Sequence, residues 1–242
     1  MPKIAPTATR ERSPLRDLAL YSMLAVLCLL AWDFSGLDYP VMQALGDSRG
    51  FLWKDNWWLE TVLHNKARQL AGVVFAGLVL MVWWPRGWFR HLSRLQRIEI
   101  VVGVLWGLLC ISGLKRISLT SCPWDMQDFG GTAVYVSHWR WGVGDGGNGH
   151  CFPGGHASSA LAFLAVCLPW LTNATLADRR RGRTLLIWVL VLGFILGMTQ
   201  TARGAHYPSH TLWTGLICWA VAVLNHTVFD RWSHHRQRLR AG

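Results

Sequence analysis

TLLIWVLVLGFILGMTQTARGAHYPSHTLWTGLICWAVAVLNHTVF, residues 184–229, is the stretch on which the fold turns. It contains two apolar runs, 184–202 and 211–229, each near the roughly 20 residues a helix needs to cross a bilayer core. The joint between them, 203–210, carries Arg203, His206 and His210. Polar, protonatable groups therefore collect where the chain turns back across the membrane. Outward from this pair the same pattern recurs at 18–37, 69–84, 98–114 and 157–171. The expected fold is all-α: a polytopic membrane protein of six transmembrane helices, with the second and fourth spans short and extending into the interface.

Composition agrees. In a chain of 242 residues, 52% are hydrophobic and only 15% charged, an unusual pairing for a water-soluble domain. Sixteen tryptophans suit the membrane–water interface, where indole rings settle. The first apolar run starts near Leu18, is long and lacks a small-residue cleavage site, so it reads as a retained span rather than a signal peptide.

The net charge of +11 is distributed as topology demands. Basic residues cluster at 3–16, 86–97, 179–183 and 231–240, in alternate connections, as the positive-inside rule requires. No aromatic-basic binding motif accompanies them, which argues against a nucleic-acid partner. The expected organisation is a cytoplasmic basic tail at 1–17, a six-helix domain at 18–229 and a second cytoplasmic tail at 230–242. Segments 38–68, 115–156 and 203–210 then face outward, on the periplasmic side of a bacterial inner membrane. Within the first of them, FLWKDNWWLETVLHNKAR (51–68) mixes tryptophan and charge at near-helical spacing and reads as an interfacial helix. GVGDGGNGH (142–150) follows no strand, so it reads as a flexible connection rather than a phosphate loop.

Three outward segments touch span ends: KRISLTSCPWD (115–125), CFPGGHAS (151–158) and TQTARGAHYPSHTLWTG (199–215). Helix ends on one membrane face can converge, so the expected site lies at the ends of spans 3–6. Gly154 and Gly155 leave backbone amides free for an anion at a helix start, and His156 follows in the first turn. His206 and His210 are four apart, a spacing that suits a metal pair or an acid–base pair. Lys115 and Arg203 add positive charge, while Asp125, Asp128 and Asp145 are the acids nearby. Cations and histidines without a carboxylate cage point to a phosphorylated ligand.

The arrangement resembles the integral-membrane branch of the type 2 phosphatidic acid phosphatase superfamily, relatives of the vanadium haloperoxidases. That family carries Lys, six residues, then Arg-Pro; next Pro-Ser-Gly-His; last Ser-Arg, five residues, His, three residues, Asp. Here the first motif reads Lys115, six residues, Cys122-Pro123, and the second Pro153-Gly154-Gly155-His156. In the third, GAHYPSH puts the family nucleophile at His206. Three positions depart: Cys122 stands for the first Arg, Gly154 for the Ser and His210 for the Asp. The second Arg position is Gln200, with Arg203 one turn further along.

The resemblance implies a metal-independent, cofactor-free phosphatase acting on a lipid phosphate or diphosphate, such as lipid A, undecaprenyl diphosphate or phosphatidylglycerol phosphate. His206 would form a phosphohistidine and His156 would protonate the leaving oxygen. Lys115, Arg203, Gly154 and Gly155 would hold the phosphate, and His210 or Asp125 would orient His206. Cys122 and Cys151 both face the oxidising side, so a disulfide between them is expected. Two other classes compete: a metal-dependent hydrolase or phosphate-group transferase using His150, His156, His206 and His210, and a transporter or structural subunit.

Overall fold

The computed structural model describes residues 14–140 and 142–241, and the chain over them is predominantly helical. The first helix, α1 (Pro14–Ser35), is followed by the short α2 (Asp38–Leu45) and a two-stranded hairpin of β1 (Gly46–Asp47) and β2 (Gly50–Phe51). A π-helical segment, Trp58–Lys66, runs without a break into α3 (Ala67–Met81). Next comes α4 (Arg94–Ile117), whose start is set by a capping box. Ser93 Oγ accepts from Gln96 N, and Gln96 Oε1 accepts from Ser93 N. A long connection with two 3-10 turns, Pro123–Asp125 and Gln127–Phe129, leads to α5 (Ser158–Leu161) and α6 (Leu164–Leu171). Thr175 caps α7 (Leu176–Ala202), and α8 (Pro208–Ala241) begins on a proline, which suits a first helical turn.

Among the described residues, four helical stretches are long and apolar enough to cross a membrane: Arg16–Ser35, Arg94–Ile117, Leu176–Ala202 and Pro208–Leu239. The other two expected spans fall on shorter helices. The second is α3 extended by its π-helical entry, and the fourth is the interrupted pair α5–α6. Every residue of α6 is buried, because it runs inside a ring made by α4, α7 and α8. The outer faces of those helices carry exposed Leu, Ile, Trp and Phe side chains, including Ile187, Trp188, Phe194 and Leu224. An apolar belt of that extent is what a bilayer covers. The tail expected at 230–242 continues α8 as helix to Ala241; of the tail at 1–17, residues 1–13 lie outside the described residues.

Small residues let these helices approach closely, the usual device where lipid supplies no hydrophobic drive between helices. Gly103 of α4 faces Ala165 and Asn225; Gly193 and Gly197 of α7 face Leu161 and Thr211. At the end of α4 away from Lys115, Glu99 Oε1 and His226 Nδ1 lie 2.6 Å apart. Asn225 Nδ2 donates to Glu99 O at 2.9 Å, tying α4 to α8.

Two segments differ from the sequence-based expectation. The helix expected over 51–68 starts only at Trp58, because Phe51 is drawn into a second apolar cluster with Met42, Met126, Phe129 and Tyr207. The glycine-rich run 142–150 is anchored rather than loose. Buried Asp145 accepts from Ser121 N (2.6 Å), Ser121 Oγ (2.7 Å) and Gly147 N (3.1 Å), and Gly149 N donates to Ser121 Oγ (2.9 Å).

Close packing at α7 generates a test. A Cβ at Gly182 would lie 2.7 Å from the main-chain nitrogen of Leu171, which cannot move aside, whereas one at Gly113 meets nothing within 4 Å. Gly182→Ala should destabilise the protein by about 1–3 kcal/mol, the usual range for overpacking. Gly113→Ala should be neutral or stabilising. Thermal unfolding in detergent compares the two, and equal melting temperatures would contradict the packing described.

Candidate active site

Four chain segments meet at one end of the bundle. Lys115 comes from the last turn of α4, and Gly154, Gly155 and His156 from the approach to α5. Arg203 and His206 come from the α7–α8 joint, and His210 from the first turn of α8. Main-chain bonds sew these segments together: Gly154 N donates to His210 O at 3.1 Å, and Trp124 N to Gly204 O at 2.9 Å. A Cβ at Gly154 would sit 3.2 Å from His210 O, so this approach suits glycine. Thr214 Oγ1 donates to both Gly154 O (3.0 Å) and His210 O (2.8 Å). Cys122 and Cys151 form a disulfide, with Cα atoms 5.2 Å apart, that ties the loop after Lys115 to the stretch before His156.

Acids further out hold this frame. Asp38 Oδ1 accepts from Ser209 N (3.0 Å) at the start of α8 and from Trp32 Nε1 (2.7 Å), a carboxylate placed at a helix N-terminus. Asp33 Oδ2 accepts from the indole N–H groups of Trp139 (3.1 Å) and Trp213 (3.0 Å), with His138 Nε2 3.2 Å away. None of these acids reaches the imidazoles at the centre of the cluster.

Those imidazoles lie in a row. Ring centroids are 5.6 Å apart for His156 and His206 and 5.7 Å for His206 and His210. His206 is buried; its Nε2 has no partner, while Nδ1 lies 3.4 Å from the Cys151 sulfur. A disulfide sulfur carries no proton, so the contact favours a proton on Nδ1 and leaves the lone pair on Nε2. Lys115 stretches over Gly155, its Nζ 3.4 Å from where a Cβ would stand. The Gly154 amide is spent on His210 O, while the amides of Gly155 and His156 in the same turn have no main-chain acceptor.

Burial pushes the His206 imidazole well below its ordinary range, with His210, His156 and Lys115 adding to the effect. His156 is pushed down to about 3, first by burial, then by the charge His64 brings when it is protonated, and then by Lys115, Arg203 and Arg68. Both rings are therefore neutral at pH 7. The surroundings favour an anion: three cations act on His156, and Glu60 pairs with one of them, Arg203.

The remaining expected residues fall as follows. Arg203 is buried and held by the segment before α3. Its Nε donates to Lys54 O (2.8 Å), its Nη1 to His64 Nδ1 (3.3 Å) and Gln200 Oε1 (3.4 Å), and its Nη2 lies 3.5 Å from Glu60. Asp125 sits in its 3-10 turn, where its carbonyl takes the amides of Thr132 and Ala133, and its carboxylate is not among the groups acting on His206. His150 is turned away, with Nδ1 3.2 Å from Lys115 O. The four histidines of the metal reading therefore do not converge. Among the described residues, the cluster with metal-ligand spacing is Cys151, His206 and His210, whose sulfur is already bonded to Cys122.

His64 and Arg68 belong to the site but were not singled out from sequence. Their signal was faint: a histidine and an arginine four apart in a stretch that also reads as an interfacial anchor. A family model described as the PAP2 superfamily matches residues 96–233. No curated protein and no solved structure matches the chain.

The depressed proton affinity of His156 makes stability depend on acid. The unfolded chain binds more protons than the folded one between the ordinary imidazole value of 6.5 and about 3. Stability should therefore fall as pH drops through that window. His156→Gln removes one such group, so its melting temperature should decline less between pH 7 and pH 5 than that of the unaltered protein.

Proposed function

Because the chain belongs to the PAP2 superfamily, we propose that it is a metal-independent phosphatase acting on lipid phosphate esters or diphosphates through a phosphohistidine at His206. The observation that carries this reading is the free, buried Nε2 of neutral His206, set beside His156, with Lys115 close over the Gly155 turn whose amides have no main-chain acceptor. Nε2 attacks phosphorus, the bond to the leaving oxygen breaks, and His156 supplies the proton that oxygen needs. Water then attacks the phosphohistidine, returns a proton to His156 and releases phosphate. Burial is the first cause of the neutral state of His156 and the cations around it add to the effect; the negative charge of the arriving phosphate offsets those cations, so its proton affinity rises when the substrate binds. Positioning and charge stabilisation are the main demands of phosphoryl transfer.

Location follows from the same layout. The basic clusters at the starts of α4 and α7 lie at the opposite ends of those helices from Lys115 and Arg203. With α3 and α5–α6 counted as spans there would be six crossings, and the positive-inside rule then supports cytoplasmic termini and a site on the periplasmic face of the inner membrane. The disulfide suits that oxidising side. A groove of about 450 Å³ between α1, α7 and α8, lined by Leu24, Leu29, Leu190, Phe194 and Leu212, reaches Thr211, the neighbour of His210. It offers an apolar path for the tail of a lipid such as lipid A, undecaprenyl diphosphate or phosphatidylglycerol phosphate.

The test is phosphate release from a panel of purified lipid phosphates in detergent, with and without chelator. Turnover should be indifferent to chelator and abolished in His206→Ala. In His156→Ala it should fall by about 10²- to 10⁴-fold, the usual share of a general acid. Retained turnover in His206→Ala would sink the assignment, and loss on chelation would revive the metal-dependent class.

A further inference from the structure

The family match begins at residue 96, yet one imidazole at the site comes from before it. His64, in the last turn of the Trp58–Lys66 segment, packs edge-to-face on His156 with ring centroids 3.9 Å apart, closer than any other pair in the row. Its Nδ1 faces Arg203 Nη1 at 3.3 Å. A guanidinium can only donate, so Nδ1 must offer its lone pair and the single ring proton must sit on Nε2. A second proton would have to displace the arginine contact. Arg203 is itself fixed by Lys54 O, Gln200 and Glu60, so the ring is held from behind.

The geometry points to His64 as a positioning residue for His156: a ring locked neutral by Arg203 that sets the orientation of the leaving-group acid and adds no charge beside it. This rests on the phosphatase reading above and extends it to a residue outside the matched region. Neutrality matters because Lys115, Arg203 and Arg68 already surround His156, with His206 on its other side and Glu60 answering only Arg203. A further cation in contact would oppose the protonated form that the acid must reach. His64 cannot act as a shuttle, since relaying a proton needs both ring nitrogens and Arg203 occupies one.

Leaving-group chemistry separates this role from simple packing. Nitrophenolate departs without a proton, whereas an alkoxide needs one. His64→Ala should lower kcat/KM, which reads the steps up to departure of the leaving group and not the later attack of water, by about 100-fold on hexadecyl phosphate, as expected when a general acid is lost, and by less than about threefold on 4-nitrophenyl phosphate. His64→Phe, which keeps a flat neutral ring, should recover most of the alkyl-ester rate. His64→Lys places a charge against His156 and lowers its proton affinity in the substrate complex. Because the acid works only when protonated, the alkaline limb of kcat on hexadecyl phosphate should move to lower pH. Equal losses on both esters in His64→Ala, or an unmoved alkaline limb in His64→Lys, would overturn the proposal. If His64→Ala does not fold, the Phe and Lys variants decide it alone. An unaltered protein that hydrolyses neither ester would instead overturn the phosphatase reading.

Discussion

Like charges crowded in a dry place repel one another, and this molecule is organised around holding such a group together. Lys115, Arg203 and Arg68 act on a row of imidazoles from which water is largely shut out. Bringing ionisable groups to such a position is costly unless something answers them. Two of the answers are built in: the imidazoles at the centre stay neutral, and Arg203 is absorbed by Lys54 O, Gln200 and Glu60. Lys115 stands over the Gly155 turn, where the amides of Gly155 and His156 have no main-chain acceptor, and an anion is the group that would complete them.

Three acids around the site are spent on the frame. Asp38 sits at the start of α8, Asp33 gathers two indole N–H groups and His138, and Asp145 fastens the 142–150 loop to Ser121. Each fixes a segment that carries or borders a site residue, and none stands where it would neutralise the cations. A carboxylate among the imidazoles would compete with phosphate for Lys115. No carboxylate is among the groups acting on His156 or His206, which supports the anionic ligand proposed above.

The fold was legible where hydrophobicity is continuous and local. The apolar runs at 18–37, 98–114, 184–202 and 211–229 correspond to helices that need no neighbour to explain them. The α5–α6 pair was readable as apolar but not as two pieces, because its break is set by burial among α4, α7 and α8. At the site, Lys115, His156, His206 and His210 were legible because each lies at the end of an apolar run. The anchoring of 142–150 was not, since Asp145 finds its partner 24 residues away. His64 was hidden for the same reason: its significance comes from Arg203, 139 residues later in the chain.

The departures from the superfamily pattern at Cys122, His210 and Gln200 make sense together. With Cys122 in place of an arginine, the first loop loses a cation and gains a covalent tie to Cys151. That tie sets the Cys151 sulfur against Nδ1 of His206, on the side where a carboxylate would stand if His210 were an aspartate. The ring is thus oriented by contact rather than by charge. In the proposed reaction a carboxylate would also stabilise the imidazolium formed when Nε2 bonds to phosphorus, and a sulfur would do so far less. Gln200, in place of the second arginine, accepts from Arg203 and steadies the guanidinium that in turn locks His64. Two family cations are therefore exchanged for structural partners and one family anion for a neutral ring. Losing the anion with the cations keeps the row of imidazoles uncharged in a place where any unanswered charge would be hard to bury.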